Sequence, residues 1–288
     1  MSYGRHQSFY LKRHWINKGI KALNTIGDNV LFDKENYVYL GIGKNMHQSL
    51  RYWLESSNII TVDSVTKKHN YTNFGQLCSE YDPSAESNLS KNLIHFYLCQ
   101  KHPINKTEIS HTFYWYFNFC KEDNSSKERL RVDLLEWDDF KTSEKTISKD
   151  IDCLISLYTN DVLSHPEDKN VSLLSDLGLI TKFGNNYVKS PVKSNKMSLY
   201  AFMYILLKNK ESGVVMSIEN ILTQECSIGK VFNLNRTMLI DVIEDMIEKG
   251  FKLEITRTNN LDTIKIKERK KSENYLKHIF ENGDLNEL

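Results

Sequence analysis

The chain has 288 residues, 40% hydrophobic and 26% charged, a globular balance that excludes a disordered chain. No window approaches the roughly 18 consecutive apolar residues of a membrane helix, and no apolar leader opens the chain, so neither a membrane protein nor a secreted one is expected. The formal net charge of +1 hides an asymmetry: residues 1–75 hold ten Lys and Arg against five Asp and Glu, whereas the remainder holds 28 against 32. Contact with a polyanion is therefore expected to be local to the first segment.

Apolar Leu11, Trp15, Ile16, Ile20 and Leu23 recur at helical spacing and predict a helix over Phe9–Thr25, with Lys12, Arg13, Lys18 and Lys21 between them. A turn at Gly41-Ile42-Gly43 leads into a second helix over Lys44–Ser57, whose apolar stripe is Met46, Leu50, Trp53 and Leu54. Its non-core positions are Lys44, Asn45, His47, Gln48, Arg51, Tyr52 and Glu55. The β-branched run Ile59–Val62 reads as a strand.

In the middle of the chain, helical patterns cover Leu89–Lys101, Ser110–Cys120, Lys127–Glu136 and Ile147–Tyr158. Glu122–Lys127 and His165–Asn170 read as polar loops, and Leu177–Ile180 with Tyr187-Val188 as a hairpin around Phe183-Gly184-Asn185-Asn186. No fixed-period repeat is visible. Further on, helices are predicted over Ser198–Lys208, from Ser217 as N-cap, and over Asn235–Lys249, followed by a hairpin around Thr258-Asn259-Asn260. Three helices and a hairpin are the winged-helix order.

The expected fold is mainly α with small β-hairpins (α+β), helix-turn-helix-like and winged-helix modules flanking a helical middle region. The expected division is a basic DNA-contact module at 1–75, a middle domain at 85–195, a winged-helix-like domain at 196–270 and a charged tail at 271–288.

Asn, Gln and Arg pair with base edges, and Lys and Arg reach phosphates, so the 44–57 helix suits DNA. The 235–249 helix exposes Asp241, Glu244, Asp245 and Glu248, which a phosphate lattice repels, so it suits a structural or protein-contact role. The candidate DNA contacts are Arg5, His6, Arg13, Lys44, Asn45, His47, Gln48 and Arg51. Equally, Arg5-His6-Gln7-Ser8-Phe9 reads as a cap with Phe9 packing inward and His6 a hydrogen-bonded structural histidine.

Catalytic signatures are sparse: no phosphate loop, GxGxxG, HExxH or GxSxG occurs. Carboxylates that could hold a metal cluster at Asp133, Glu136, Asp138 and Asp139 with Lys141, at Asp150 and Asp152, and at Glu167 and Asp168 with Lys169; each reads first as a solvated surface. His95, His102 and His111 are likewise read as scattered. Cys78, Cys99, Cys120, Cys153 and Cys226 lack any CxxC spacing and read as buried free thiols of a reducing, cytoplasmic compartment.

Arg5-His6-Gln7-Ser8-Phe9, Arg13-His14-Trp15, Lys18-Gly19 and above all the block from Leu40 to Leu54 resemble a bacterial domain-of-unknown-function family encoded beside PAPS-reductase-like sulfur-transfer genes, that of the B component of the Ssp DNA phosphorothioation system. That family usually places Gly directly before the His, whereas here Gly4 precedes Arg5. The resemblance implies DNA engagement in a phage-defence system and, by analogy, nicking of one strand so that sulfur enters the backbone, with Mg²⁺ or Mn²⁺ as metal. It implies a sulfur-transfer enzyme and a cysteine desulfurase as partners, and it assigns no catalytic residue. The alternatives are a non-catalytic winged-helix DNA-binding adaptor or transcription regulator, and a protein-only scaffold.

Overall fold

A computed structural model describes residues 3–32, 34–63, 65–66, 68–100, 111–159, 171–209, 215–258, 261–283 and 285. Helix α1 (Trp15–Thr25) buries Trp15, Ile16, Gly19, Ile20, Ala22 and Leu23 against α2 (Lys44–Ser56). A Cβ on Gly19 would come within 2.3 Å of Leu54, so the helices meet at a point where only glycine fits. Helix α1 starts six residues later than Phe9, because Gln7 and Ser8 take left-handed backbone conformations and Lys12 bridges to Ser172. The apolarity of Leu11 thus reflects pairing with a distant strand-like segment, its carbonyl accepting from the Leu173 N–H.

The strand predicted at Ile59–Val62 is β1 (Ile60–Val62), antiparallel to β2 (His69–Tyr71). Helix α3 (Asn73–Tyr81) follows, capped by the Thr72 hydroxyl, which accepts from the Gly75 N–H. The helix predicted over Leu89–Lys101 is α4 (Asn88–Leu98), buried at every position. Its His95 is fixed as one tautomer: the Val231 carbonyl accepts from Nε2 at 2.7 Å, and Nδ1 accepts from the Tyr158 hydroxyl at 2.7 Å. Burial pushes the His95 pKa down to about 4, which keeps this ring neutral.

The remainder repeats one topology twice. Helix α5 (Thr112–Asn118), β3 (Asn124–Ser126), α6 (Lys127–Trp137), α7 (Glu144–Tyr158), β4 (Ile180–Phe183) and β5 (Asn186–Lys189) form an antiparallel sheet ordered β3-β5-β4. Helix α8 (Leu199–Lys208), β6 (Val215–Ser217), α9 (Ile218–Thr223), α10 (Ile228–Val231), α11 (Arg236–Glu248), β7 (Leu253–Thr256) and β8 (Thr263–Ile266) form a sheet ordered β6-β8-β7. In each, the strand before the helices pairs with the last strand of the hairpin.

Fold class is therefore as expected, mainly α with small antiparallel sheets. Ser217 does cap α9, its hydroxyl accepting from the Asn220 N–H. Two expectations fail. Asn124–Ser126 is an edge strand rather than loop, and the chain beyond 270 is helix α12 (Ser272–Asn282) rather than a charged tail. Tyr275, Leu276, Ile279 and Phe280 bury one face of α12 against α3 and α8. The loop at 165–170, the hairpin tip at 259–260, Lys101, Ser110 and His102 lie outside the described residues.

Gly75 supplies a test of this packing. A Cβ there would lie 1.8 Å from the Ile59 carbonyl oxygen, which belongs to backbone and cannot swing away. Gly75→Ala is expected to lose at least about 2 kcal/mol of stability in urea denaturation, since overpacking a tight core site outweighs any gain in helix propensity.

Candidate functional site

The site grows from the N-terminal turn. Gly4, Gln7 and Ser8 all have positive φ (73°, 51° and 64°), and the Gln7 and Phe9 N–H groups donate to the Gly4 and His6 carbonyls, coiling the segment tightly. This conformation drives His6 inward, to 1% exposure, while Arg5 stays in solvent. There the His6 Nε2 meets Asp150 Oδ1 at 2.9 Å; the same oxygen accepts from the Gly4 N–H at 2.7 Å, and Oδ2 accepts from the Thr112 hydroxyl at 2.8 Å. Asp150 is a residue of α7, itself buried.

Burial opposes a charge on His6, but Cys153 and Asp150 beside it more than offset this, pushing its pKa up to about 10. Burial pushes the Cys153 thiol up. The Ser8 N–H donates to Nδ1 at 3.1 Å. The ring also stacks on Trp53 (centroids 6.5 Å) and meets Tyr52 edge-on (6.0 Å).

Outside this pair lies a polar cleft of about 310 Å³. Arg5 and Gln7 of the turn form one wall, Leu31 and Phe32 the next, and His47, Gln48, Arg51 and Tyr52 of α2 the third. Arg51 is fixed in place, with Nε 3.1 Å from Glu55 and its guanidinium 5.3 Å from the Phe32 ring centre. The His47 Nε2 donates to the Val30 carbonyl at 3.1 Å. Helix α2 has Gly43 at its N-cap, with no side-chain cap and no acidic residue in its first turn, so its positive end meets solvent uncompensated.

The structure thus brings four predicted contacts together: Arg5, His47, Gln48 and Arg51. Lys44 and Asn45 are exposed on the first turn of α2, Lys44 lying 3.8 Å from Glu35. Arg13 is elsewhere, paired with Glu86 at 3.1 Å. His6 was expected at the interface; burial behind Arg5 makes it a support instead, the capping alternative. His47 and Tyr52, read as non-core, are buried: the His47 ring reaches the Val30 carbonyl, and the Tyr52 ring lies against that of His6. Sequence reasoning missed Gln7, Leu31, Phe32 and Thr112 as site residues, and Asp150, singled out with Asp152 but read first as solvated surface, is buried.

The acidic clusters are mostly neutralised locally. Asp133 pairs with Arg129 at 2.9 Å, Asp139 with Lys141 at 2.8 Å and Asp152 with Lys127 at 2.7 Å. Glu167, Asp168 and Lys169 lie outside the described residues. Asp138 is buried alongside the Tyr3 hydroxyl, which burial, Asp138 and Asp150 together push up. His95 and His111 do not converge. Among the described residues, no three His, Cys, Asp or Glu are placed to hold a metal ion. The five cysteines are free thiols, all buried except the half-buried Cys226.

The family described as a protein of unknown function, DUF4007, matches residues 3–280. Two solved structures, a crystal structure of SspB and a magnesium ion-bound one, each superpose with a TM-score of 0.83 at 17% sequence identity, covering 98% of this chain and 88% of theirs. The fold is shared. No curated protein matches the chain.

Breaking the buried pair leaves a carboxylate without its partner, so His6→Ala is expected to cost about 3–5 kcal/mol of unfolding free energy. Because the folded pKa is raised, the stability His6 adds by being protonated is whole below about 6.5 and is lost as pH rises through about 10. Urea titrations should therefore show the gap between wild type and variant narrowing from pH 6 to pH 10.

Proposed function

The chain belongs to the DUF4007 family of proteins of unknown function, and from that premise we propose that it is the DNA-engaging component of a bacterial DNA phosphorothioation and phage-defence system. In this reading it nicks one strand so that sulfur can enter the backbone, beside a PAPS-reductase-like sulfur-transfer enzyme and a cysteine desulfurase. The observation that carries the proposal is the cleft of Arg5, Gln7, Gln48 and Arg51 against α2. Two guanidinium forks and two amides are the donors a phosphodiester takes. The fold shared with SspB, one structure of which binds magnesium, supports the assignment to such a system.

We read the two repeated units, α5 to β5 and α8 to β8, as winged helices, and α1, α2 and their hairpin as a third, helix-turn-helix-like module. In the last unit the helix before the hairpin is α11, which exposes Asp241, Glu244 and Glu248. Glu244 pairs with Arg257 and Asp245 with Lys249, but the face remains acidic and suits a protein partner better than DNA. That face also favours the second reading, a non-catalytic DNA-binding adaptor or regulator.

Supercoiled plasmid mixed with the purified protein and Mg²⁺ or Mn²⁺ is expected to become open circle. Retention as supercoil across both metals, with binding intact, selects the adaptor instead. Arg5→Ala/Arg51→Ala should weaken duplex binding and flatten the slope of log K against log salt by up to about 2 units, since each lost phosphate contact removes close to one. An unchanged slope means the cleft does not hold phosphate.

A further inference from the structure

A second groove, of about 530 Å³, runs along the solvent face of α1. Its floor is His14, Lys18 and Lys21, and its far wall is the turn carrying Tyr39 and Leu40. The walls are tied down: the Lys18 ammonium donates to the Leu40 carbonyl at 2.9 Å, and the Asn17 amide donates to the Ser84 hydroxyl at 2.9 Å. Across the rim Tyr39 is 76% exposed, and Val38 and Ile26 beside it are exposed as well. No acidic residue occurs in α1, and Glu86, which closes one end, is engaged by Arg13. The local field is positive enough that Lys18 and Lys12, after burial, help push the His14 pKa down.

An exposed aromatic ring beside a row of cations is the recurrent platform for single strands: the base stacks on the ring, and the backbone follows the charge. In a duplex the base faces are covered by their neighbours and only edges and phosphates are offered. The groove has the size of a pocket that encloses a small organic ligand, enough for a splayed nucleotide. We propose that the α1 groove binds an unpaired segment of DNA strand, one base stacking on Tyr39 with adjoining phosphates against Lys21 and His14. This rests on the reading of the chain as a DNA-engaging protein. It adds a division of labour, with duplex held at the Arg5–Arg51 cleft and the strand opened beside a nick held on α1.

The test is fluorescence anisotropy of the full chain with a labelled 20-mer as duplex, as single strand and as a duplex with a central gap. Tyr39→Ala is expected to weaken single-strand and gapped binding about tenfold, the worth of one stacked base, and to leave duplex binding unchanged. Tyr39→Trp should retain the wild-type preference, and Lys21→Ala should weaken the same two probes. Tyr39→Ala leaving all three affinities unchanged, or lowering all three equally, overturns the groove. If Arg5→Ala/Arg51→Ala still weakens duplex binding in that case, the functional reading stands while the groove falls. Absence of binding to any of the three DNAs overturns both.

Discussion

One buried contact, His6 with Asp150, decides what the first ten residues present to solvent. A carboxylate with no water around it needs donors, and Asp150 takes them from Gly4, His6 and Thr112, residues separated from it by up to 146 positions. The second anchor is the Phe9 carbonyl, which accepts from the Trp53 indole at 2.9 Å. Between these anchors the chain has to coil, so Gln7 and Ser8 pass through left-handed conformations that cost backbone strain. The outcome is functional geometry: with His6 driven inward, its neighbours Arg5 and Gln7 turn outward against Gln48 and Arg51 of α2. A buried ion pair is weak support for stability by itself. Here it acts as a clasp between the basic module and α7.

The charge asymmetry gains a structural meaning from this arrangement. Of the ten Lys and Arg in residues 1–75, Lys18 and Lys21 lie on α1, Lys44 and Arg51 on α2, and Arg5 in the turn beside α2, while carboxylates elsewhere are largely met by nearby Lys and Arg or gathered on α11. A near-zero total therefore describes two surfaces of opposite character. One suits a phosphate backbone; the other suits a protein that must be kept off it.

Much of the fold was legible wherever a helix has one wet face. Helices α2, α8 and α11 end within one residue of the predicted bounds, because their apolar stripes stop at a turn or a glycine. Helix α4, although buried all round, was legible over Leu89–Lys101, whereas the edge strand Asn124-Ser125-Ser126 was not, being made of residues with turn character. Helix α12 was missed although Tyr275, Leu276, Ile279 and Phe280 spell a face; the surrounding charge of the tail masked it. In the site, Arg5, Gln48 and Arg51 were legible as polar positions flanking an apolar stripe. The His6–Asp150 contact was not, since a single sequence carries no signal linking positions 144 apart. The repeated sheet order escaped for the same reason: it is a repeat of topology with no period in residues.

The central claim is that a buried carboxylate arranges a surface it never touches. The direct measurement is duplex-DNA affinity as a function of salt for Asp150→Asn, made at a temperature where circular dichroism shows the variant folded. Weaker binding and a shallower salt dependence are expected, because Arg5 loses its place opposite Arg51. Wild-type affinity and slope in the folded variant would contradict it.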